Sequence, residues 1–211
     1  MNKINKTTEE LVNDAKDKIE KAKVALQEVD SINSWEDLER AILLCKIYLS
    51  SQSAGAALER LLIRLLSGTP IALRKRKREK KGSADVRFGE FNCEIKVSTE
   101  GSNDQFHFVQ IRLDSAIDYY LFMSYSISFR EIRYFVLSQE EMKRLLVAGY
   151  SVGYAHGTVK KWGLITEDNL RDDCEYCFRP NFKKSVDKAW EHLKHYEVSR
   201  DFLIEKFNPT P

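Results

Sequence analysis

Asp85, Glu94 and Lys96 lie in the stretch "SADVRFGEFNCEIKVS", residues 83 to 98, whose apolar and polar residues alternate. Gly89 and Glu90 form the natural two-residue turn, because a tight hairpin needs a residue that tolerates positive φ and glycine does so without strain. With that turn, Phe88 faces Phe91, Val86 faces Cys93, and Asp85 falls opposite Glu94. Side chains alternate along a strand, so Asp85, Arg87, Asn92, Glu94 and Lys96 share one face. Ala84, Val86, Phe88, Phe91, Cys93, Ile95 and Val97 share the other. Opposed residues have Cβ atoms about 4.5 to 5.5 Å apart, where two like charges destabilise a sheet unless something compensates them. A divalent cation would do so. Mg²⁺ prefers hard oxygen ligands, takes one or two carboxylates from a protein and keeps waters that can be polarised. Lys96, on the same face, could then orient an attacking water or stabilise charge on a phosphate. An amphipathic hairpin whose polar face meets solvent, with Lys96 and Arg87 neutralising the acids, accounts for the same pattern.

The charge distribution bears on that choice. The 211-residue chain has a net charge of +2. The run "RKRKREKK", residues 74 to 81, holds seven positive charges and one negative, so the rest of the chain sums to −4. Arg74, Lys75, Arg76, Lys77, Arg78, Lys80 and Lys81 suit either a solvated loop or a strip that meets phosphates. A polyanion held there would lie beside the Asp85 and Glu94 carboxylates, which is what phosphodiester chemistry requires.

The elements that must position these residues are also readable. Leu11, Ala15, Ile19, Ala22 and Leu26 mark an amphipathic helix over 7–30, with Thr7 or Thr8 as its cap. A second helix follows in "SINSWEDLERAILLCKIYLSS", with Ser34 as N-cap. A third, over 54–68, is apolar around most of its circumference and stops at Gly68. After the hairpin, "DYYLFMSYSIS" and "REIRYFVLS" read as strands, and "SQEEMKRLLVAG" as a helix with a Ser138 to Glu141 capping box and an end at Gly149. Val186, Ala189, Trp190, Leu193 and Tyr196 predict one terminal helix. The fold class is therefore α/β, a mixed central sheet flanked by helices, with an N-terminal helical extension and a C-terminal helix. Residues 1–50 form the helical region, a dimerisation arm or part of the same compact unit, and residues 51–211 the catalytic domain.

"SAD" at 83 to 85, followed after eight residues by "EIK" at 94 to 96 in an apolar strand, resembles the PD-(D/E)xK nuclease superfamily and, within it, the type II restriction endonucleases. Ala84 stands where the family usually has proline. The resemblance covers mainly residues 50 to 150 and implies a restriction-endonuclease-like fold that hydrolyses phosphodiester bonds of double-stranded DNA at a specific site. Mg²⁺ is the implied cofactor, with Mn²⁺ as a substitute, and the catalytic Asp, Glu and Lys fall on Asp85, Glu94 and Lys96. Glu59, an acid in the apolar helix before the hairpin, resembles a further metal-binding glutamate of the family, and pairing with Arg60 or Arg64 would explain it equally. Gln110 and Arg112 in "FVQIR" match a region that commonly lies near the site or the DNA backbone. In "GYAHGTVKKWG", residues 153 to 163, His156, Thr158, Lys160 and Lys161 are available for base contacts. Cutting both strands of a symmetric site calls for a homodimer, and a restriction system would pair the enzyme with a cognate DNA methyltransferase. A repair or junction-resolving nuclease with the same site is an alternative, as is a non-catalytic DNA-binding or regulatory protein.

Other chemistry finds less support. Cys174 and Cys177 with His192 and His195 invite a zinc reading, but the spacing departs from the usual finger. There is neither a nucleophile elbow nor a phosphate-binding loop. No apolar run is long enough to cross a bilayer, and "MNKINKTTEELVNDAKDK" lacks the apolar block of a secretory signal. Four cysteines are too few for a disulfide framework. The expected setting is the cytoplasm, with no membrane partner.

Overall fold

The computed structural model describes residues 6–70, 84–101, 103–147, 151–154, 161–171, 174–184 and 187–208. They form two compact units, residues 1–61 and residues 62–211. The chain is of mixed α/β class. In the first unit, α1 (Thr8–Ser31) starts at a capping box in which Thr7 accepts from the Glu10 amide and Glu10 accepts from that of Thr7. Its Ala25 and Val29 are buried beside α2 (Leu38–Tyr48), which buries Leu38, Ala41, Ile42 and Cys45. The N-cap of α2 is Asp37 and not Ser34, whose hydroxyl instead donates to the Asp37 carboxylate.

The third helix, α3 (Ser51–Leu65), ends in a Schellman-type turn. The Ser67 amide bonds to the Arg64 carbonyl and the Gly68 amide to that of Ile63. Ser67, at φ 54°, is the left-handed residue. Glycine is needed at 68 for space, since a Cβ there would lie 2.3 Å from the Phe88 ring and 2.6 Å from Val86 Cγ2.

The second unit holds two sheets. The larger has six strands: β1 (Thr69–Pro70), β2 (Val86–Phe88), β3 (Phe91–Thr99), β5 (Tyr119–Ser126), β6 (Glu131–Ser138) and β10 (Glu197–Val198), in that spatial order. Only β3 and β5 run parallel, so the sheet is mixed. Gly89, at φ 57°, makes the β2–β3 turn, and the pairs Phe88 with Phe91, Arg87 with Asn92 and Val86 with Cys93 follow the expected register. The smaller, antiparallel sheet has β4 (Phe108–Arg112), β9 (Glu175–Phe178), β7 (Ser151–Tyr154) and β8 (Lys161–Leu164), in that order. Sequence patterning foresaw one sheet. The second is built from short strands, four of its residues each in β7, β8 and β9, with little alternation to mark them.

Between the sheets lies a core that includes Phe106, Phe108, Ile111, Tyr120, Phe122, Phe135, Tyr176, Phe178 and Trp190. Phe108 of β4 stacks on Phe122 of β5 at 4.6 Å. On the outer face of the large sheet, Phe88 packs against Phe207. The helix α4 (Gln139–Leu145) has the expected Ser138 and Glu141 capping box. Gly149 lies outside the described residues.

The single terminal helix is corrected. Residues 188–207 form α5 (Lys188–Lys194), strand β10 and α6 (Arg200–Phe207). Asp187 caps α5 and Ser199 caps α6, and between them β10 adds an edge to β6. Edge pairing overrides a helical period that the apolar positions alone suggested.

Candidate functional site

Asp85 lies just ahead of β2 and stays tied to β3 at both its backbone and its side chain. Its amide donates to the Cys93 carbonyl at 3.0 Å, and its Oδ2 accepts from the Ile95 amide at 3.1 Å. The carboxylate is thus fixed beside Glu94. Glu94 and Lys96 are two residues apart on β3 and share a face. Lys96 Nζ lies 2.6 Å from Glu94 Oε1 and 3.7 Å from Asp85 Oδ2. The three side chains expected to meet do meet.

Their environment is not that of a solvated hairpin. Glu94 is fully buried, whereas the side chains of Lys96 and Asp85 are 12% and 32% exposed. The polar face of β3 is covered because β4 lies against it. Both carboxylate oxygens of Glu94 lack a hydrogen-bond partner, so the close approach of Lys96 is an ion pair without hydrogen-bond alignment. Burial pushes the Glu94 carboxyl up to about 7, opposed by the Lys96 charge and reinforced by that of Asp85. A buried carboxylate with no hydrogen bonds is expensive, and in native proteins such groups are paired or bind metals.

Arg112 reaches this group from the end of β4. Its Nε and Nη2 both donate to Glu175 Oε1, at 2.9 and 2.6 Å. Glu175, on β9, is buried, and the Arg112 side chain is 37% exposed. Burial acts to lower the arginine's pKa, but the Glu175 bonds, with the Glu94 and Asp85 charges, outweigh it. Tyr120, the register partner of Glu94 on β5, donates its hydroxyl to the Arg112 carbonyl at 2.6 Å. Glu175 went unrecognised in the sequence, where it sits among the Cys174 and Cys177 neighbours. An acid inside the strand "EYCF" was the available signal.

No protein-family model and no curated protein matches the chain. The chemistry of the site therefore has to be read from its own residues.

Gln110 takes φ 57° where the β4–β9 register shifts between Phe108 and Ile111, a bulge that leaves its side chain exposed. Left-handed backbone at a non-glycine residue is strained, and bulges of this kind re-aim side chains. Glu59 is half-buried on α3 in the first unit. Arg74, Lys75, Arg76, Lys77, Arg78, Lys80 and Lys81 lie outside the described residues, as do His156, Thr158 and Lys160. Lys161 opens β8.

Cys174 and Cys177 are buried and not joined in a disulfide, and Arg179 Nε donates to Cys177 Sγ at 3.1 Å. Residues three apart along extended chain point to opposite faces, which opposes chelation of one metal by both. Among the described residues no three or more His, Cys, Asp or Glu side chains are grouped as metal ligands. No helix among them is long and apolar enough to cross a membrane.

Two carboxylates remain as the hard-oxygen donor set, one buried with both oxygens unbonded and one reachable from solvent. That set fits Mg²⁺, which usually takes one or two carboxylates and retains several waters.

Proposed function

We propose that this chain is a Mg²⁺-dependent endonuclease of restriction type that hydrolyses phosphodiester bonds in double-stranded DNA. The observation that carries the reading is Glu94, a fully buried carboxylate with no hydrogen bond to either oxygen, set beside Asp85 and Lys96. Asp85 and Glu94 would hold the ion. When bound, Mg²⁺ supplies Lewis acidity and a water of lowered pKa. Lys96 leaves its ion pair with Glu94 and presents an ammonium to the attacking water or to the phosphate. Arg112, held by Glu175, offers a second positive charge to the same phosphate, because guanidinium geometry matches phosphate oxygens. Asp85, anchored through the Ile95 amide, keeps its position as these charges rearrange.

The basic run at 74–81 fits as a grip on the DNA backbone, and His156, Thr158 and Lys160 as base contacts. A homodimer would cut both strands of a symmetric site, in a cytoplasmic system completed by a cognate methyltransferase. Mn²⁺ would replace Mg²⁺.

The Lys96 and Glu94 ion pair also favours a second reading, a DNA-binding or regulatory protein in which the carboxylates are structural. The deciding experiment incubates the protein with mixed-sequence duplex DNA, with Mg²⁺ or with EDTA, and compares wild type with Asp85→Ala on a gel. Discrete fragments that require both metal and Asp85 are expected. A smear would point to a repair or junction nuclease, and salt-sensitive binding without scission would establish the non-catalytic reading.

A further inference from the structure

The first unit begins with a helix that outruns its neighbour. α1 has 24 residues, and α2, packed beside it, has 11. Burial is confined to the C-terminal part of α1, where Ala25 and Val29 are buried and Ala22 and Leu26 half-buried. From Thr8 to Lys21 every residue except Asp14 is exposed. The apolar residues keep their order there all the same. Val12, Ile19 and Leu26 alternate with Ala15, Ala22 and Val29 at steps of three and four, the a and d positions of a heptad. Val12 is 46% exposed and Ile19 57%. Apolar residues scattered singly over a surface need no partner, but a stripe at heptad spacing that continues into the exposed part of α1 is a seam without its second helix.

Charges beside the seam select its occupant. The ion pairs of α1 join Lys6 to Asp14, Lys21 to Asp17, Lys23 to Glu20 and Arg40 to Glu28. Among the described residues Glu9 and Lys16 belong to no ion pair. Both hold e positions, one heptad apart on the same flank of the stripe. A second α1 laid antiparallel over the exposed stretch Thr8–Ile19, and centred on it, sets Val12 opposite the partner's Ala15 and Ile19 opposite the partner's Thr8. Large side chains then meet small ones, as dense packing requires. The same register brings Glu9 beside the partner's Lys16 and, by two-fold symmetry, Lys16 beside the partner's Glu9. Leu11, 55% exposed, falls along the aliphatic stem of the partner's Lys18. A parallel pair is worse on both counts. It sets Ala15 against the partner's Ala15, which leaves a gap, and Lys18 beside the partner's Lys23, which repels.

We propose that α1 is a self-association surface, and that two copies of the chain pair through it as antiparallel helices over Thr8–Ile19. The paired stretch is about 18 Å long at the usual helical rise. So short a contact makes a dimer that depends on protein concentration, and that DNA holding two copies together would favour. The inference rests on the nuclease reading only for the use of the dimer, one site for each strand. The pairing itself is read from α1.

The test is sedimentation equilibrium of the full chain over roughly a hundredfold range of concentration, for wild type, Glu9→Lys, Lys16→Glu and Ile19→Asp. Wild type should show a reversible equilibrium of monomer and dimer. Each charge reversal turns both symmetric attractions into repulsions and should weaken the dimer about tenfold. An equimolar mixture of the Glu9→Lys and Lys16→Glu chains should recover wild-type association, since each chain then meets the opposite charge on the other. Lysine in the first turn opposes the helix dipole, and circular dichroism reads any helix lost to it. Ile19→Asp, at an exposed position, should leave the fold intact and remove the dimer. A monomer at every concentration, or a dimer indifferent to all three substitutions, overturns the α1 pairing. If Mg²⁺-dependent cleavage is retained in that case, the nuclease reading still stands. A dimer with the expected charge response and no cleavage defeats the nuclease reading alone. A wild type that stays monomeric and binds vesicles of anionic lipid, with binding lost in Ile19→Asp, would assign the stripe to a membrane surface and also overturn the pairing.

Discussion

Lys96 Nζ stands 2.6 Å from Glu94 Oε1, reaching it from two residues along the same strand, yet neither Glu94 oxygen has a hydrogen bond. Charge proximity without hydrogen-bond satisfaction is a poor arrangement for stability, since a buried ion pair offsets its desolvation only with good geometry and further hydrogen bonds. It is a good arrangement for exchanging one cation for another. On the proposed reading, the ammonium would neutralise the carboxylate until a better-coordinated positive charge arrives.

Glu94 should therefore weaken the metal-free fold as pH rises. Its folded pKa, about 7, lies above its ordinary 4.5, so the native state holds more protons than the unfolded one between those values. The associated stability is fully present below about pH 4.5 and lost as pH rises through 7, an effect of roughly 3 kcal/mol at most. Glu94→Gln should remove this dependence. In EDTA the variant should melt higher than wild type at pH 8 and close to it at pH 5, and it should not cleave DNA. A wild-type melting temperature unchanged by the substitution at pH 8 would show that the carboxylate is not the strained group described here.

Lys96→Met keeps the aliphatic stem and removes the charge. Without the ammonium, Glu94 should titrate at still higher pH and remain neutral at pH 7, visible in the carboxyl resonance of ¹³C-labelled glutamate. Cleavage should fall by about 10² to 10⁴, the range for a positioned proton-transfer or charge-stabilising group. Since Glu94 can neutralise itself by holding its proton, circular dichroism should report a folded protein.

The hairpin was legible because its turn is. Gly89 at positive φ sets the pairing of Val86 with Cys93, and the two-residue period then places Asp85, Glu94 and Lys96 together. The burial of Glu94 was not legible, because its cause is remote. β4 lies against β3, and Glu175 reaches Arg112 across 63 residues of sequence. Alternation within a strand says which residues share a face and nothing about what will cover it. The two-residue strand β10 was hidden for a related reason. Its pairing of Glu197 with Phe135 depends on an exposed edge of β6 that the local pattern does not encode.

Arg112 and Glu175 should respond asymmetrically to truncation. Arg112→Met removes the paired hydrogen bonds that the buried Glu175 carboxylate accepts at 2.9 and 2.6 Å, and should lower unfolding free energy by roughly 3 kcal/mol in a urea titration. Glu175→Gln leaves a guanidinium that is 37% exposed and can turn to water, so the loss should be smaller. Both should raise KM for DNA more than they lower kcat, if the arginine holds the phosphate in the ground state as well as in the transition state. Equal destabilisation by the two variants would argue against this asymmetry between a buried acid and a half-exposed guanidinium.

The hydrogen bonds to Glu100 should make the β5–β6 turn sensitive to acid. Burial acts to raise this carboxyl's pKa, but bonds from Ser128, Lys183 and Ser126 prevail and bring it down to about 2. Here the sign is opposite to that of Glu94. Stabilisation is present above the ordinary value of 4.5 and is lost as pH falls toward 2. Amide exchange of Ser128 should accelerate, relative to core strands, in Glu100→Gln at pH 6, and the pH 6 difference from wild type should shrink as both are taken below pH 3.

Gly68→Ala tests how the turn after α3 positions β2 and, with it, Asp85. The added methyl would meet the Phe88 ring at 2.3 Å and Val86 Cγ2 at 2.6 Å, both on β2, one to three residues from Asp85. Phe88 has little room to yield because it is buried and packed on Phe207. Overpacking of this kind typically costs about 1 to 3 kcal/mol and shifts backbone. Alanine also favours helix over glycine, a gain of about 1 kcal/mol only at positions inside a helix, and Gly68 lies beyond the last turn. The net effect should be a lower melting temperature together with a higher Mg²⁺ requirement for cleavage, because displacement of β2 carries Asp85 away from Glu94. Gly68→Ala combined with Phe88→Leu, which opens the space the methyl needs, should recover part of both. Loss of stability with an unchanged Mg²⁺ requirement would mean that Asp85 is held by its bonds to Cys93 and Ile95 independently of the strand's seat on the helix.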